Sequence, residues 1–138
     1  MGAAPQRGRG ADGAEAAAPA PPPVDVAAFR RTMEEAGAAE AVDGILATFI
    51  ETLPQRLDAL AAATAGDTAE PIERAAHAFK SAAATIGARH LAALLEQIEA
   101  AGRDGDVARA RDKLESVRRE AQAALDYLQT TGKGGGDG

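Results

Sequence analysis

The chain has 138 residues and a formal net charge of −6, from 21 acidic and 15 basic side chains. This acidic balance argues against nucleic acid or an anionic membrane as the main partner. Cysteine is absent, which excludes disulfides, thiol catalysis and cysteine metal ligands and fits a reducing compartment. With three Phe, one Tyr and no Trp, the core must be built from Leu, Ile, Val and Ala, as in closely packed helices.

Composition divides the chain into one domain and two tails. Residues 1–23 are rich in Gly, Ala and Pro and have no apolar period, so we expect them to be disordered. Residues 132–138 are rich in glycine and predict a flexible tail. The domain is expected over residues 24–131. No apolar run resembles a signal peptide or approaches the length of a transmembrane helix, so a cytoplasmic location is expected.

The first half of the domain predicts a short helix followed by a long one. Asp25 can cap a short helix that ends near Gly37. A longer apolar stripe runs from residue 42 to residue 60, and Pro54 interrupts its hydrogen bonding. Because the stripe stays in phase beyond the proline, it favours one kinked helix over two separate ones.

The second half predicts three more helices. One follows a possible cap at Thr68 and ends at Gly87, and the next ends at Gly102. The last one begins near Val107, and we expect Gly132 to stop it. Four long amphipathic helices with short turns predict an all-α, up-down-up-down four-helix bundle, with the short N-terminal helix capping one end. The brief break at Gly87 predicts an antiparallel hairpin on either side of it.

His77 stands on the exposed face of the third long pattern. With about 100° per residue, the apolar side chains lie within roughly 60° of the pole opposite His77. These apolar residues are Ile72, Ala75, Phe79, Ala82, Ala83 and Ile86. A neutral imidazole nitrogen is a nucleophile at physiological pH, and Lys80, one turn on, could balance an anion on the ring. From composition and spacing alone, an ordinary solvated histidine is the favoured interpretation.

The residue order around His77 resembles the histidine-containing phosphotransfer (HPt) domain family. The resemblance rests on Ala76-His77-x-Phe79-Lys80-Ser81, followed by Ile86-Gly87-Ala88-x-x-Leu91, and it continues through Leu94, Leu95 and Glu96 to Gly105-Asp106. It covers most of residues 25 to 130. The family usually has glycine at the position of Ser81, and serine is the next smallest polar residue.

The resemblance implies a phosphorelay carrier and assigns its residues. His77 would accept a phosphoryl group through Nε2 from one receiver domain and pass it to an aspartate of another. Lys80 would offset the negative charge of the phosphoryl group. The surrounding residues of this face would dock the partner: Glu73, Arg74, Ser81 and Ala84. Gly87 would form the structural turn. The partners would be response-regulator receiver domains, and a hybrid histidine kinase could be a further one. Mg²⁺ would lie on the receiver, with no cofactor on this chain. The chain would act as a monomer without an ATP site.

Three other functions remain open at this point. A sensor-kinase dimerisation domain also carries a helical histidine, but the usual acidic residue is missing because Ala78 follows His77. A helical adaptor could bind receivers or other signalling proteins without being phosphorylated. A general acid–base enzyme is disfavoured because no partner carboxylate is evident for a histidine on a convex helix. A metal site is not expected, since His77 and His90 lack further ligands at suitable spacing.

Overall fold

The computed structural model describes residues 22–137, with side chains described through residue 130. Within this range the regular elements are five α-helices and one 3-10 turn. They are α1 (Val26–Glu35), a 3-10 helix (Ala39–Ala41), α2 (Val42–Ala65), α3 (Glu70–Thr85), α4 (Arg89–Arg103) and α5 (Val107–Asp137). The predicted tail over residues 1–23 lies outside the described residues except for Pro22 and Pro23.

The short helix α1 lies at one end of the bundle, as predicted. The Ala28 N–H donates to the Asp25 side chain at 3.0 Å, so Asp25 is the N-cap. The Asp25 N–H donates to the Gly87 carbonyl at 3.0 Å, which ties this segment to the turn between α3 and α4. Val24 and Phe29 are buried and anchor the segment on the core.

Helices α2 to α5 form a four-helix bundle in which each helix packs on two neighbours. The packed pairs are α2 with α3, α3 with α4, α4 with α5, and α5 with α2, so α3 and α5 are diagonal. Pro54 lies inside one continuous α2, because the apolar residues on both sides of it, Leu53 and Leu60 among them, are buried on the same core. Arg111 of α5 donates to the carbonyls of Thr64 and Gly66 and so satisfies the C-terminal end of α2.

The hairpin of α3 and α4 is fixed by two glycines with different roles. Gly87 adopts φ of +87° in the turn, and a Cβ there would lie 2.8 Å from the Asp25 carbonyl oxygen. Gly102 lies inside α4, where a Cβ would lie 2.8 Å from the backbone nitrogen of Glu73 in α3. Small size at Gly102 therefore lets the two helices approach closely beside the exposed face of α3.

Three predicted helix boundaries are wrong. The N-cap of α3 is Ala69 rather than Thr68, and no side-chain hydrogen bond caps it. The helix α4 continues through Gly102 to Arg103, because Gly102 serves close packing rather than chain reversal. The helix α5 continues past the expected stop at Gly132 to Asp137. Glycine ends a helix when it takes a positive φ, and among the described glycines only Gly37, Gly87 and Gly105 do so.

Candidate functional site

His77 lies midway along α3, and 61% of its side chain is exposed. The opposite face is buried as predicted, with Ile72, Phe79 and Ala83 in the core. Ala76 is also fully buried, so the buried face is turned toward α4. As a result His77 stands beside the groove between α3 and α4, within reach of side chains from α4.

A carboxylate from α4 holds the imidazole ring. The Nδ1 atom of His77 lies 2.9 Å from Oε2 of Glu99. Only 8% of the Glu99 side chain is exposed, which is unusual for a glutamate and indicates a fixed rather than a solvated carboxylate. Glu99 therefore sets the orientation of a ring that is otherwise open to solvent.

The protonation state of Glu99 determines which ring nitrogen is free. Burial by itself would raise the pKa of Glu99, but the Lys80 ammonium and the His77 ring outweigh burial and hold this pKa below its ordinary value. An ionised carboxylate only accepts hydrogen bonds, so Nδ1 of His77 must carry the proton. The lone pair of the neutral ring is then on Nε2, the nitrogen that faces away from Glu99. This geometry leaves Nε2 as the ring nitrogen whose lone pair is not used by Glu99.

Lys80 is bound by two carboxylates of α4. Its Nζ atom donates to Oε1 of Glu96 at 2.6 Å and lies 2.6 Å from Oε1 of Glu99. The contact with Glu99 is an ion pair without the alignment of a hydrogen bond. The Glu96 and Glu99 carboxylates raise the pKa of Lys80 above its ordinary value, and the Lys80 ammonium in turn lowers the pKa of Glu96. Lys80 therefore remains charged at neutral pH.

Arg103 completes the charge network. Its guanidinium lies 3.5 Å from Oε2 of Glu96 and 3.5 Å from Oε2 of Glu99. Two carboxylates thus alternate with two cations beside the histidine, and their formal charges cancel while the ring is neutral. An incoming anion would meet two cations whose charges are already shared with carboxylates.

The predicted docking residues surround His77 on both sides. Ser81 and Ala84 are exposed on the same face as the ring. Arg74 is exposed and pairs with Glu70 at 3.2 Å. Glu73 is only half-buried, on the side where α3 approaches Gly102.

A mostly apolar groove lies on the other side of α3, where α3 packs on α2. Its volume is about 570 Å³, and Ile45, Thr48, Ala82 and Thr85 are among its lining residues. Arg56 of α2 crosses one end and donates to the Ala78 carbonyl at 3.5 Å. The groove therefore borders the exposed face that carries His77 and Ser81.

Three residues of this site were not predicted from the sequence as functional: Glu96, Glu99 and Arg103. The expectation that His77 has no partner carboxylate is wrong, because Glu99 of the neighbouring helix supplies one. The predicted hairpin held only part of the signal. An antiparallel pair that reverses at Gly87 places α3 beside α4, and Glu96, Glu99 and Arg103 share one face of α4. Equal separations from Gly87 would nevertheless place Gln97, not Glu99, opposite His77.

His90 lies in the first turn of α4, beside the turn at Gly87, and takes no part in this site. Its Nδ1 atom lies 3.5 Å from Glu120 of α5, and its side chain is exposed. In the described part of the chain, no group of three or more His, Cys, Asp and Glu side chains is placed to hold a metal ion. None of the helices among these residues has the length and apolarity needed to cross a membrane.

The fold and the site together define a class of protein: an antiparallel helical bundle that presents one oriented, solvent-exposed histidine with a lysine one turn further along the same helix. The family model for the Hpt domain matches residues 44–131, which is more than half of the chain. The chain therefore belongs to the Hpt domain family, the histidine phosphotransfer proteins of phosphorelay signalling.

A solved structure of the same kind matches the fold. The crystal structure of histidine-containing phosphotransfer protein B (HptB) from Pseudomonas aeruginosa PAO1 is similar with a TM-score of 0.72 and 25% sequence identity. The similarity covers 81% of this chain and 96% of that protein. The comparison with curated protein sequences returned no match. The predictions of family, of an all-α bundle and of phosphotransfer function are confirmed.

Proposed function

We propose that His77 is the residue that carries the phosphoryl group, and that it does so through Nε2. The observation that supports this assignment is the hydrogen bond between Nδ1 of His77 and the buried carboxylate of Glu99, at 2.9 Å. The bond leaves the Nε2 lone pair free of Glu99, and 61% of the His77 side chain is exposed. A partner would therefore reach Nε2 from the solvent side of α3.

The proposed step is an exchange between an acyl phosphate and the imidazole. Nε2 attacks the phosphorus of a receiver's aspartyl phosphate, the new N–P bond forms, and the P–O bond to the aspartate breaks. The aspartate leaves as a carboxylate, and the ring becomes a phosphoryl imidazolium with its proton still on Nδ1. Glu99 accepts a hydrogen bond from this proton throughout and stabilises the positive charge that develops on the ring. The reverse sequence passes the group to the next receiver.

Lys80 balances the charge of the phosphoryl group. It lies one turn from His77 on the same helix, and its ammonium has three donors. Phosphoryl transfer depends mainly on positioning and on electrostatic stabilisation, both of which a fixed lysine can supply. We propose that Lys80 directs one of its N–H groups to a phosphoryl oxygen when His77 is modified.

The partner supplies the rest of the chemistry. We propose that receiver domains, alone or within a hybrid histidine kinase, dock on the face formed by Arg74, Ser81 and Ala84 and along the groove between α2 and α3. The Mg²⁺ and the acidic residues that assist transfer would belong to the receiver. The chain would act as a cytoplasmic monomer, as a carrier without nucleotide chemistry of its own.

The test is phosphoryl transfer from receiver domains labelled with ³²P to the parent chain and to His77→Gln. The parent should become labelled with an acid-labile, base-stable phosphoryl group, and His77→Gln should remain unlabelled. The variant should still fold, as checked by circular dichroism, but it should lose about 1–3 kcal/mol of stability because the buried Glu99 carboxylate loses its hydrogen bond from His77. A label that persists in His77→Gln would move the carrier to another residue. Receiver binding without any labelling of the parent would instead identify an adaptor.

A further inference from the structure

The two carboxylates that bind Lys80 differ in their surroundings. Glu99 is buried and holds the His77 ring. Glu96 is half-exposed, and its contacts are with Lys80 at 2.6 Å and Arg103 at 3.5 Å. Glu96 therefore acts on the two cations of the site, while Glu99 also acts on the imidazole. Within one network, Glu99 therefore orients the imidazole ring, and Glu96 affects only the cations.

A phosphoryl group on His77 would compete with Glu96. The group brings nearly two negative charges beside a site whose four charged side chains already cancel. Lys80 can turn to a phosphoryl oxygen only by sharing the ammonium that Glu96 now binds. The Glu96 carboxylate also remains nearby as a like charge, which disfavours the doubly charged phosphoryl group.

We propose that Glu96 lowers the affinity of His77 for the phosphoryl group and thereby raises its tendency to pass the group on. This inference rests on the proposed role of His77 as the carrier. Glu96 does not contact the reacting atoms and acts through Lys80 and Arg103. Its effect is therefore on the equilibrium between the phosphorylated and the free carrier.

The equilibrium can be measured without a receiver by using phosphoramidate as the phosphoryl donor. Nε2 of His77 forms a bond to phosphorus, the bond from phosphorus to the donor nitrogen breaks, and ammonia leaves. With fixed concentrations of phosphoramidate and ammonium, the phosphorylated fraction of the full chain gives the exchange constant. Intact mass spectrometry and ³¹P NMR measure this fraction, and His77→Gln corrects for phosphorylation of His90.

Three variants isolate the charge of Glu96. Glu96→Gln keeps the size and an oxygen acceptor for Lys80, and we expect its exchange constant to rise on the order of three- to tenfold. Glu96→Asp keeps the charge and should behave nearly as the parent does. Glu115→Gln removes the same charge from the exposed face of α5, diagonal to α3, and should leave the constant unchanged. Added salt should reduce the difference between Glu96→Gln and the parent.

The outcomes separate this inference from the proposed function. If the parent is phosphorylated on His77 but Glu96→Gln has the parent's exchange constant or a lower one, the role of Glu96 is refuted and His77 stays the carrier. An equal rise in Glu115→Gln would also refute it, because the effect would then be one of net charge. If neither phosphoramidate nor phosphorylated receivers modify His77 of the parent, both proposals fail.

Discussion

The Glu99→Gln variant removes the charge of the carboxylate that holds His77 and that also pairs with Lys80 and Arg103. Glutamine has the same length, and its amide oxygen can still accept the hydrogen bond from Nδ1 at the position of Oε2, 2.9 Å away in the parent. The ring should therefore keep its orientation and its tautomer. The variant loses the ion pairs with Lys80 and Arg103 and the negative charge that would face the ring while Nε2 attacks phosphorus.

The expected loss follows from the strength of the hydrogen bond in the two cases. A hydrogen bond to a charged group contributes about 1.5–3 kcal/mol and a neutral one about 1 kcal/mol, so the difference is about 0.5–2 kcal/mol. Because 61% of the His77 side chain is exposed, water screens the ring and the lower half of this range applies. At about 1.4 kcal/mol for each factor of ten, phosphoryl acceptance should slow about two- to eightfold.

The assay is rapid-quench transfer from a ³²P-labelled receiver at saturating concentration, so that docking does not limit the rate. The matched control is Glu120→Gln, which removes the carboxylate beside the other histidine, 3.5 Å from His90. Glu120→Gln should transfer at the parent's rate. If Glu99→Gln also transferred at the parent's rate, the carboxylate would not stabilise charge on the ring, and its burial would need another explanation.

A second measurement on Glu99→Gln tests the electrostatics without any partner. The pKa of Glu99 is lower in the folded chain than its ordinary value, because the Lys80 ammonium and the His77 ring outweigh burial. A depressed carboxyl pKa contributes stability that is present above the ordinary pKa, near 4, and is lost as the pH falls through the folded value. The free energy of unfolding of the parent should therefore fall more steeply below about pH 5 than that of Glu99→Gln. Parallel profiles in chemical denaturation would contradict this reasoning.

Two further substitutions probe the approach of the partner. Lys80→Ala keeps the nucleophile but removes the cation beside it, so transfer should slow several-fold and phospho-His77 should be lost faster. Unchanged rates and an unchanged phosphohistidine lifetime would make Lys80 a solvated charge only. Ser81→Gln should fold normally by circular dichroism yet exchange phosphate far more slowly, because the longer side chain crowds the route to Nε2. Ser81→Gly should transfer as fast as the parent or faster, at a cost in stability of about 0.5 kcal/mol. Parent-like kinetics for Ser81→Gln would mean that the receiver approaches from another side.

Much of the fold could be predicted because apolar periodicity is a local property of the sequence. The buried face of α3 and the continuity of α2 through Pro54 both follow from stripes that stay in phase. Helix ends were less predictable, because glycine has more than one use. Gly87 reverses the chain with a positive φ, while Gly102 stays helical because its missing Cβ lets α3 and α4 approach. The sequence alone does not distinguish these two roles.

The sequence predicted the site residues that lie on α3 but not those that α4 contributes. His77 and Lys80 are one turn apart, so their proximity follows from helical geometry. Glu99 is 22 residues from His77, and their contact depends on how α3 and α4 are aligned across the Gly87 turn. A hydrophobic pattern fixes which faces pack but not the alignment along the helix axes. The partner carboxylate therefore became evident only from the structure.

A relay carrier must bind a phosphoryl group strongly enough to accept it and weakly enough to release it. The buried carboxylate of Glu99 serves acceptance, since it orients the ring and faces the positive charge that forms on it. The exposed carboxylate of Glu96 opposes retention, since it binds the lysine that the phosphoryl group would otherwise hold. Because the same ammonium contacts both carboxylates, neither can be changed without altering the other's field. In the proposed mechanism, one lysine shared between a buried and a half-exposed carboxylate would keep both directions of transfer accessible.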